Sequence, residues 1–167
     1  QNNNDAALKS LKDYISNYPN GLHATKAHFN IAEINYAKNN VSDAKSSYEN
    51  VINRGKSEYT EQSLVRLSNM YLTEKDKANA KRVLTQLEVN ASNDTNKLFA
   101  QSNLMKAAYD EGDTATAAKY ATILAANSKV DKRIKADATA ISARVAINNN
   151  DTANARKLYE QLNTIGT

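Results

Sequence analysis

Cysteine is absent from this 167-residue chain, which rules out a disulfide framework or a thiolate metal site and leaves either redox compartment open. No apolar run approaches the roughly 18 residues that mark a membrane-crossing helix. Proline occurs once, as Pro19, and no proline- or serine-rich linker interrupts the sequence, so no internal domain boundary is expected. There is no glycine-rich phosphate loop, no HExxH pair, no Gly-x-Ser-x-Gly elbow and no cysteine nucleophile. The two histidines, His23 and His28, fall about 140° apart around a helix, the wrong geometry for one metal ion. His28 is expected to pack instead. These gaps together predict a chain with no catalytic residue, no cofactor and no bound metal. The chain opens at Gln1 without a methionine or a signal-like segment, and is read as processed or as a fragment of a longer protein.

What the chain does have is a repeat. Ala7, Ala44, Ala80, Ala117 and Ala155 stand 37, 36, 37 and 38 residues apart. Four residues after each come Leu11, Tyr48, Leu84, Ala121 and Tyr159; seven after come Tyr14, Val51, Leu87, Leu124 and Leu162. Every one is apolar or aromatic. Four residues before stand Asn40, Asp76, Asp113 and Asp151, with Asn3 in the partial first unit; eight before stand Tyr36, Leu72, Tyr109 and Ile147. A period near 37 with two helices per unit describes a helical solenoid rather than a globular bundle. The alanine has a physical reason: antiparallel helices approach to about 8 Å only where the facing side chain is small. A mean hydropathy of −0.68 fits a thin array with much surface per residue.

The spacing predicts helices over about 5–17, 23–38, 41–54, 60–74, 77–90, 95–110, 114–127, 132–148 and 152–164, with residues 1–4 frayed or starting the first helix. Tyr18-Pro19-Asn20-Gly21 stops that helix, since proline cannot continue it and glycine accepts left-handed dihedrals. Ser42, Asp113 and Asp151 or Thr152 are expected to cap second helices. Gly55, Gly112 and Gly166 close elements, while Asn39, Asn40 and Asn148 to Asn150 replace glycine where positive φ is needed.

These positions resemble the tetratricopeptide repeat family over nearly the whole chain. Ile31 and Ala32 match its large-then-small pair, Tyr36 its aromatic, Ala44 its small residue, Tyr48 its second-helix aromatic and Pro19 its closing proline. Ser68 and Met105 depart from the small position, and the proline is missing after Lys56, Ser92 and Lys129. The resemblance implies an all-α fold, a right-handed superhelical solenoid of antiparallel helix pairs with about 4.5 repeats. The units are a partial repeat over 1–21 and repeats about 22–57, 58–93, 94–130 and 131–167. Within the family, NYPNGLHATKAHFNIAEINYAKNN and VSDAKSSYENVI look like bacterial periplasmic or outer-membrane-associated members, such as the Tol-Pal-associated cell-division coordinator. The expected location is therefore the bacterial periplasm or outer-membrane surface, with the cytoplasm as the alternative.

The family uses the first helix of each unit to line a concave groove. The implied partner-facing residues are Lys26, Phe29, Glu33 and Tyr36; Gln62, Val65, Asn69 and Thr73; Phe99, Ser102, Lys106 and Tyr109; Asp137, Ala140, Arg144 and Asn148. Their charges nearly cancel, and the mixed polar and aromatic surface suits a peptide or partner helix more than a polyanion. The groove also lacks the lysine-then-asparagine pairs with which chaperone-binding members grip a terminal carboxylate. Lys129, Lys132, Arg133 and Lys135 form a basic loop cluster, but no aromatic is interleaved to stack on bases and no nucleic-acid partner is expected. The first helix shows Leu8, Leu11 and Ile15 on a side without an intrachain partner, so either more repeats upstream or self-association is expected there. The sequence thus describes a non-enzymatic scaffold for a protein or peptide. The rival is an accessory domain that positions a catalytic part of a larger enzyme or sensor.

Overall fold

The structure, a computed structural model, describes residues 2–166. Among them are nine α-helices and no strands: α1 (Asn2–Asn17), α2 (Ala24–Ala37), α3 (Val41–Asn53), α4 (Thr60–Glu74), α5 (Lys77–Asn90), α6 (Asp94–Asp110), α7 (Thr114–Ala126), α8 (Lys132–Asn148) and α9 (Thr152–Ile165). They fall into two compact units, Gln1–Asn90 and Ala91–Thr167. In the first, α2 packs on α3 and α4 on α5, with α1 against α2 and α3 against α4; in the second, α6 packs on α7 and α8 on α9, with α7 against α8. Each pair is an antiparallel hairpin closed by a short turn.

The repeated turn explains the pairing. The residue five before the alanine is left-handed in all four complete repeats: Asn39 (φ 60°), Lys75 (φ 59°), Gly112 (φ 77°) and Asn150 (φ 59°). The next residue sends its backbone N–H back across the turn, from Asn40 to Asn35, Asp76 to Tyr71, Asp113 to Ala108 and Asp151 to Ala146, at 2.8–3.0 Å. These bonds satisfy carbonyls left over at the end of each first helix, the arrangement of a Schellman turn. Asp76, Asp113 and Asp151 then accept from the N–H of Asn79, Thr116 and Asn154, and so start the second helix.

Several expectations need correction here. Ser42 lies inside α3 and does not cap it; Asn40 precedes that helix, and its amide instead donates to the Asn35 side chain at 3.2 Å. Thr152 likewise opens α9, while Asp151 caps it. Asn40 and Asn149 keep negative φ, leaving a single left-handed residue per turn. Gly21 is not left-handed either. It sits in a tight space, where a Cβ would stand 2.6 Å from the Tyr14 hydroxyl and 3.0 Å from the Tyr18 Cβ. Of the two readings for residues 1–4, the helix start holds for Asn2 to Asn4, which lie within α1.

Lys75 is the one long side chain in the left-handed column, where an L-residue costs about 1–2 kcal/mol. Lys75→Gly is therefore expected to raise stability by about 1 kcal/mol in urea melts, the usual outcome when glycine relieves positive φ. Unchanged or reduced stability would contradict this account of the turn.

The alanine column forms the seam of each hairpin. Ala44 and Ala117 are fully buried and Ala80 and Ala155 nearly so. Tyr48, Val51, Leu84, Leu87, Ala121 and Leu124 fill the space beside them. Ser68 and Met105, the departures from the small position, are also fully buried, so the interior absorbs both sizes. In α1 the same column is less covered: Ala7, Leu11 and Tyr14 are half-buried. The expected free side needs correction, because Leu8 is buried as α1 packs on α2. The open edge is the one carrying Ala7, Leu11 and Tyr14 instead.

Candidate functional site

The first-helix residues singled out by the sequence lie on α2 and α4 in one unit and on α6 and α8 in the other, and each set is described by itself. On α2, Glu33 is the centre of a three-helix contact. Its carboxylate accepts from the Tyr48 hydroxyl of α3 and from Nε and a terminal nitrogen of Arg66 of α4, both at 3.3 Å. The Arg66 guanidinium also lies 4.3 Å from the centroid of the Tyr36 ring, a cation–π distance. Burial, then the bond to Glu33, pushes the Tyr48 hydroxyl well above the ordinary tyrosine range, so it stays a proton donor. Phe29 stacks on Tyr59 at 5.0 Å and meets Tyr48 edge-on.

Arg66 was not among the sequence candidates, yet it closes the electrostatics of this face. Its spacing from Glu33 recurs once, although not at the repeat period. Glu49 of α3 repeats the device, accepting from Tyr71 of α4 and Arg82 of α5, and both carboxylate-to-arginine separations are 33 residues. Each hub takes a carboxylate from one helix, a tyrosine from the next and an arginine from the one after.

The two ends of α2 serve different surfaces. Tyr36 joins Asn69 and Thr73 in a cleft of about 650 Å³ that also holds Val41, Met70 and Glu74. Lys26 lies apart, in a cleft of about 490 Å³ with Leu22, Glu58 and Tyr59. Gln62 is exposed and Val65 half-buried.

In the second unit Lys106 of α6 pairs with Asp137 of α8 at 2.9 Å. Arg144 donates to the Tyr109 hydroxyl at 3.3 Å and stands 5.6 Å from its ring. Phe99 is half-buried. Ser102 is a correction: only 6% exposed, it packs within the fold and offers a partner little. The equivalent positions Phe29, Val65 and Ala140 are half-buried, so this column borders the neighbouring first helix and a small serine sinks into the seam. Near-cancellation of groove charge thus takes a physical form: Glu33, Lys106 and Asp137 are already paired within the chain.

Among the described residues no group of three His, Cys, Asp or Glu could hold a metal ion, and no helix is long and apolar enough to cross a membrane. His28 is half-buried, with Nε2 3.2 Å from Arg54; burial first, then the Arg54 charge, lowers its proton affinity and favours a neutral ring that accepts from the guanidinium. Of the basic loop cluster, Lys129 pairs with Asp94, while Lys132, Arg133 and Lys135 stay exposed on the first turn of α8.

A family model described as a tetratricopeptide repeat-like domain matches residues 1–92 of the 167, more than half the chain. The chain belongs to this family. Tetratricopeptide repeat-like folds generally mediate protein–protein interaction, and proteins built from them are typically non-catalytic scaffolds. Among solved structures, the fold is shared with the nearly identical TPR-like repeats of a provisional kinesin light chain from Podosopora anserina. That structure is 16% identical, with a TM-score of 0.55 over 98% of this chain and 87% of that one. A point variant of it is also 16% identical, with a TM-score of 0.54 over 97% and 86%. At this identity the likeness carries the tetratricopeptide fold and nothing about the ligand. No curated protein matches the chain.

Proposed function

We propose that this tetratricopeptide protein is a non-enzymatic scaffold that holds a peptide or partner protein against the first-helix faces of its repeats, in a bacterial cell envelope. The observation that carries the reading is the composition of those faces. Tyr36 and Tyr109 are partly accessible and each is held by an arginine of the next repeat's first helix, and amide and hydroxyl groups line the cleft beside Tyr36. Aromatic groups fixed in place before binding are the usual anchors of such interfaces, since little freedom is lost when a partner covers them. The periplasm or outer-membrane surface is the proposed location, supported by the resemblance of residues 13–52 to envelope members. The half-covered Ala7, Leu11 and Tyr14 edge of α1 is a second contact surface in this reading, open to another copy or another chain.

The test is affinity capture with the intact protein, followed by binding measurements on single variants. Tyr36→Ala, Phe99→Ala and Tyr109→Ala should each weaken the captured partner by about 1–3 kcal/mol, and Lys157→Ala, exposed on α9, should do almost nothing. Circular dichroism melts must accompany them, because Tyr36 and Tyr109 also hold arginines in place. Equal binding by all three folded aromatic variants would move the site off these faces.

A further inference from the structure

Among the aligned positions, one exposed apolar departure lies over a cleft. Three residues before the seam alanine stand Asn4, Lys77, Thr114 and Thr152, all polar; in the remaining unit the residue is Val41, 39% exposed. The turn does not need a valine there, since the same hydrogen-bonded turn forms ahead of Lys77, Thr114 and Thr152. Val41 faces the 650 Å³ cleft together with Tyr36, also 39% exposed, and Met70, which is buried. Other large apolar residues are as exposed or more so, but these two meet over one concavity. The volume lies within the roughly 300–1,000 Å³ of clefts that take small ligands.

The charges beside the cleft select against an ionic guest. Glu74 on the rim is answered by Lys45 at 2.6 Å, and Arg66, across the Tyr36 ring, is answered by Glu33. A charged side chain entering here would lose hydration without meeting an unpaired opposite charge. The remaining polar side chains are Asn39, Asn69 and Thr73. Thr73 donates to the Asn69 carbonyl at 2.8 Å, and Asn69 donates its amide to the Val65 carbonyl at 3.1 Å, which leaves the Asn69 side-chain oxygen as an acceptor.

Building on the scaffold reading, we propose that this cleft is a specificity subsite for an uncharged apolar side chain, aliphatic or aromatic, of an extended peptide segment. Tyr36 and Val41 flank that side chain, Met70 floors it, and Asn69 accepts a backbone N–H of the segment. Binding at the subsite is driven by apolar burial and is insensitive to salt.

The test uses the full chain, labelled with ¹⁵N, and terminally blocked tripeptides Ala-Leu-Ala, Ala-Phe-Ala, Ala-Glu-Ala and Ala-Lys-Ala as probes. The Leu and Phe peptides should shift the amides of Asn39, Val41, Met70 and Thr73. Their binding should be at least about fivefold tighter than that of the charged peptides and change less than about twofold between roughly 50 and 500 mM NaCl. Val41→Thr, which installs the residue found at the equivalent positions 114 and 152, should weaken both apolar peptides at least about fivefold without lowering the melting temperature. A preference for either charged peptide, a strong salt dependence, no cleft response at about 20 mM peptide, or shifts that survive Val41→Thr would each overturn the subsite. Shifts centred on Phe29 and Val65 would also overturn it, yet leave the scaffold reading intact. The scaffold reading itself fails separately, if a captured partner ignores every aromatic variant of the first-helix faces.

Discussion

Tyr48→Ala is expected to lower the unfolding free energy by about 3–5 kcal/mol, the range for removing a large aromatic from a packed interior. Tyr48 is fully buried between α2 and α3, touches Phe29 and Tyr36 edge-on, and gives its hydroxyl proton to Glu33. Truncation would open a cavity at the seam and leave Glu33 with Arg66 alone. Tyr48→Phe separates the two effects, keeping the ring and deleting the hydrogen bond. It should cost about 1.5 kcal/mol, the low end for a bond to a charged group, since the Glu33 side chain is 32% exposed and retains Arg66. Urea melts of both variants check the pair, and a Tyr48→Ala cost under about 1 kcal/mol would contradict the packing described for α2 and α3.

The second large effect is expected in the other unit. Ala117 is fully buried where α7 crosses α6, and Ala117→Leu must either force the hairpin apart or push neighbours off their rotamers. A cost of about 3 kcal/mol, the upper end for overpacking, is expected because α6, on which α7 packs, is itself buried at Leu104, Met105 and Ala108. Ala115→Leu, exposed on the same helix, is the control and should stay within about 0.5 kcal/mol of the parent. Similar costs for the two substitutions would mean that the alanine column does not set the helix spacing.

The hairpins were legible in the sequence because their determinants are local. A small residue at the crossing and a short polar residue four positions earlier act within one turn of chain, so periodicity exposes them. The left-handed residue just before them was legible only in part, because Lys75 carries no glycine or asparagine signal. The hubs were not legible in the same way. Glu33, Tyr48 and Arg66 come from three helices, and nothing local to any of them names its partners. Arg66 is a charged residue on a first helix, indistinguishable by pattern from a solvated one until the fold brings it to Tyr36 and Glu33. Ser102 failed for a related reason: its column runs along the border with the next first helix, and whether such a position sinks or surfaces depends on side-chain size as much as on register. Gly21 shows a third kind of limit. It sits close against Tyr14 and Tyr18 without a left-handed backbone, and sequence alone does not separate close approach from dihedral freedom.

The two glutamate hubs also decide how the first unit bears a load. A stack joined only between neighbours peels one helix at a time, each contact breaking before the next is strained. Glu33 fastens α2 to α4 while holding α3, and Glu49 fastens α3 to α5 while holding α4. Like overlapping courses of brick, each fastening bridges the joint that the other leaves open. A partner tugging on α2 therefore pulls directly on α4 and, through the shared α3, on α5, so strain is divided over four helices instead of concentrated on one seam.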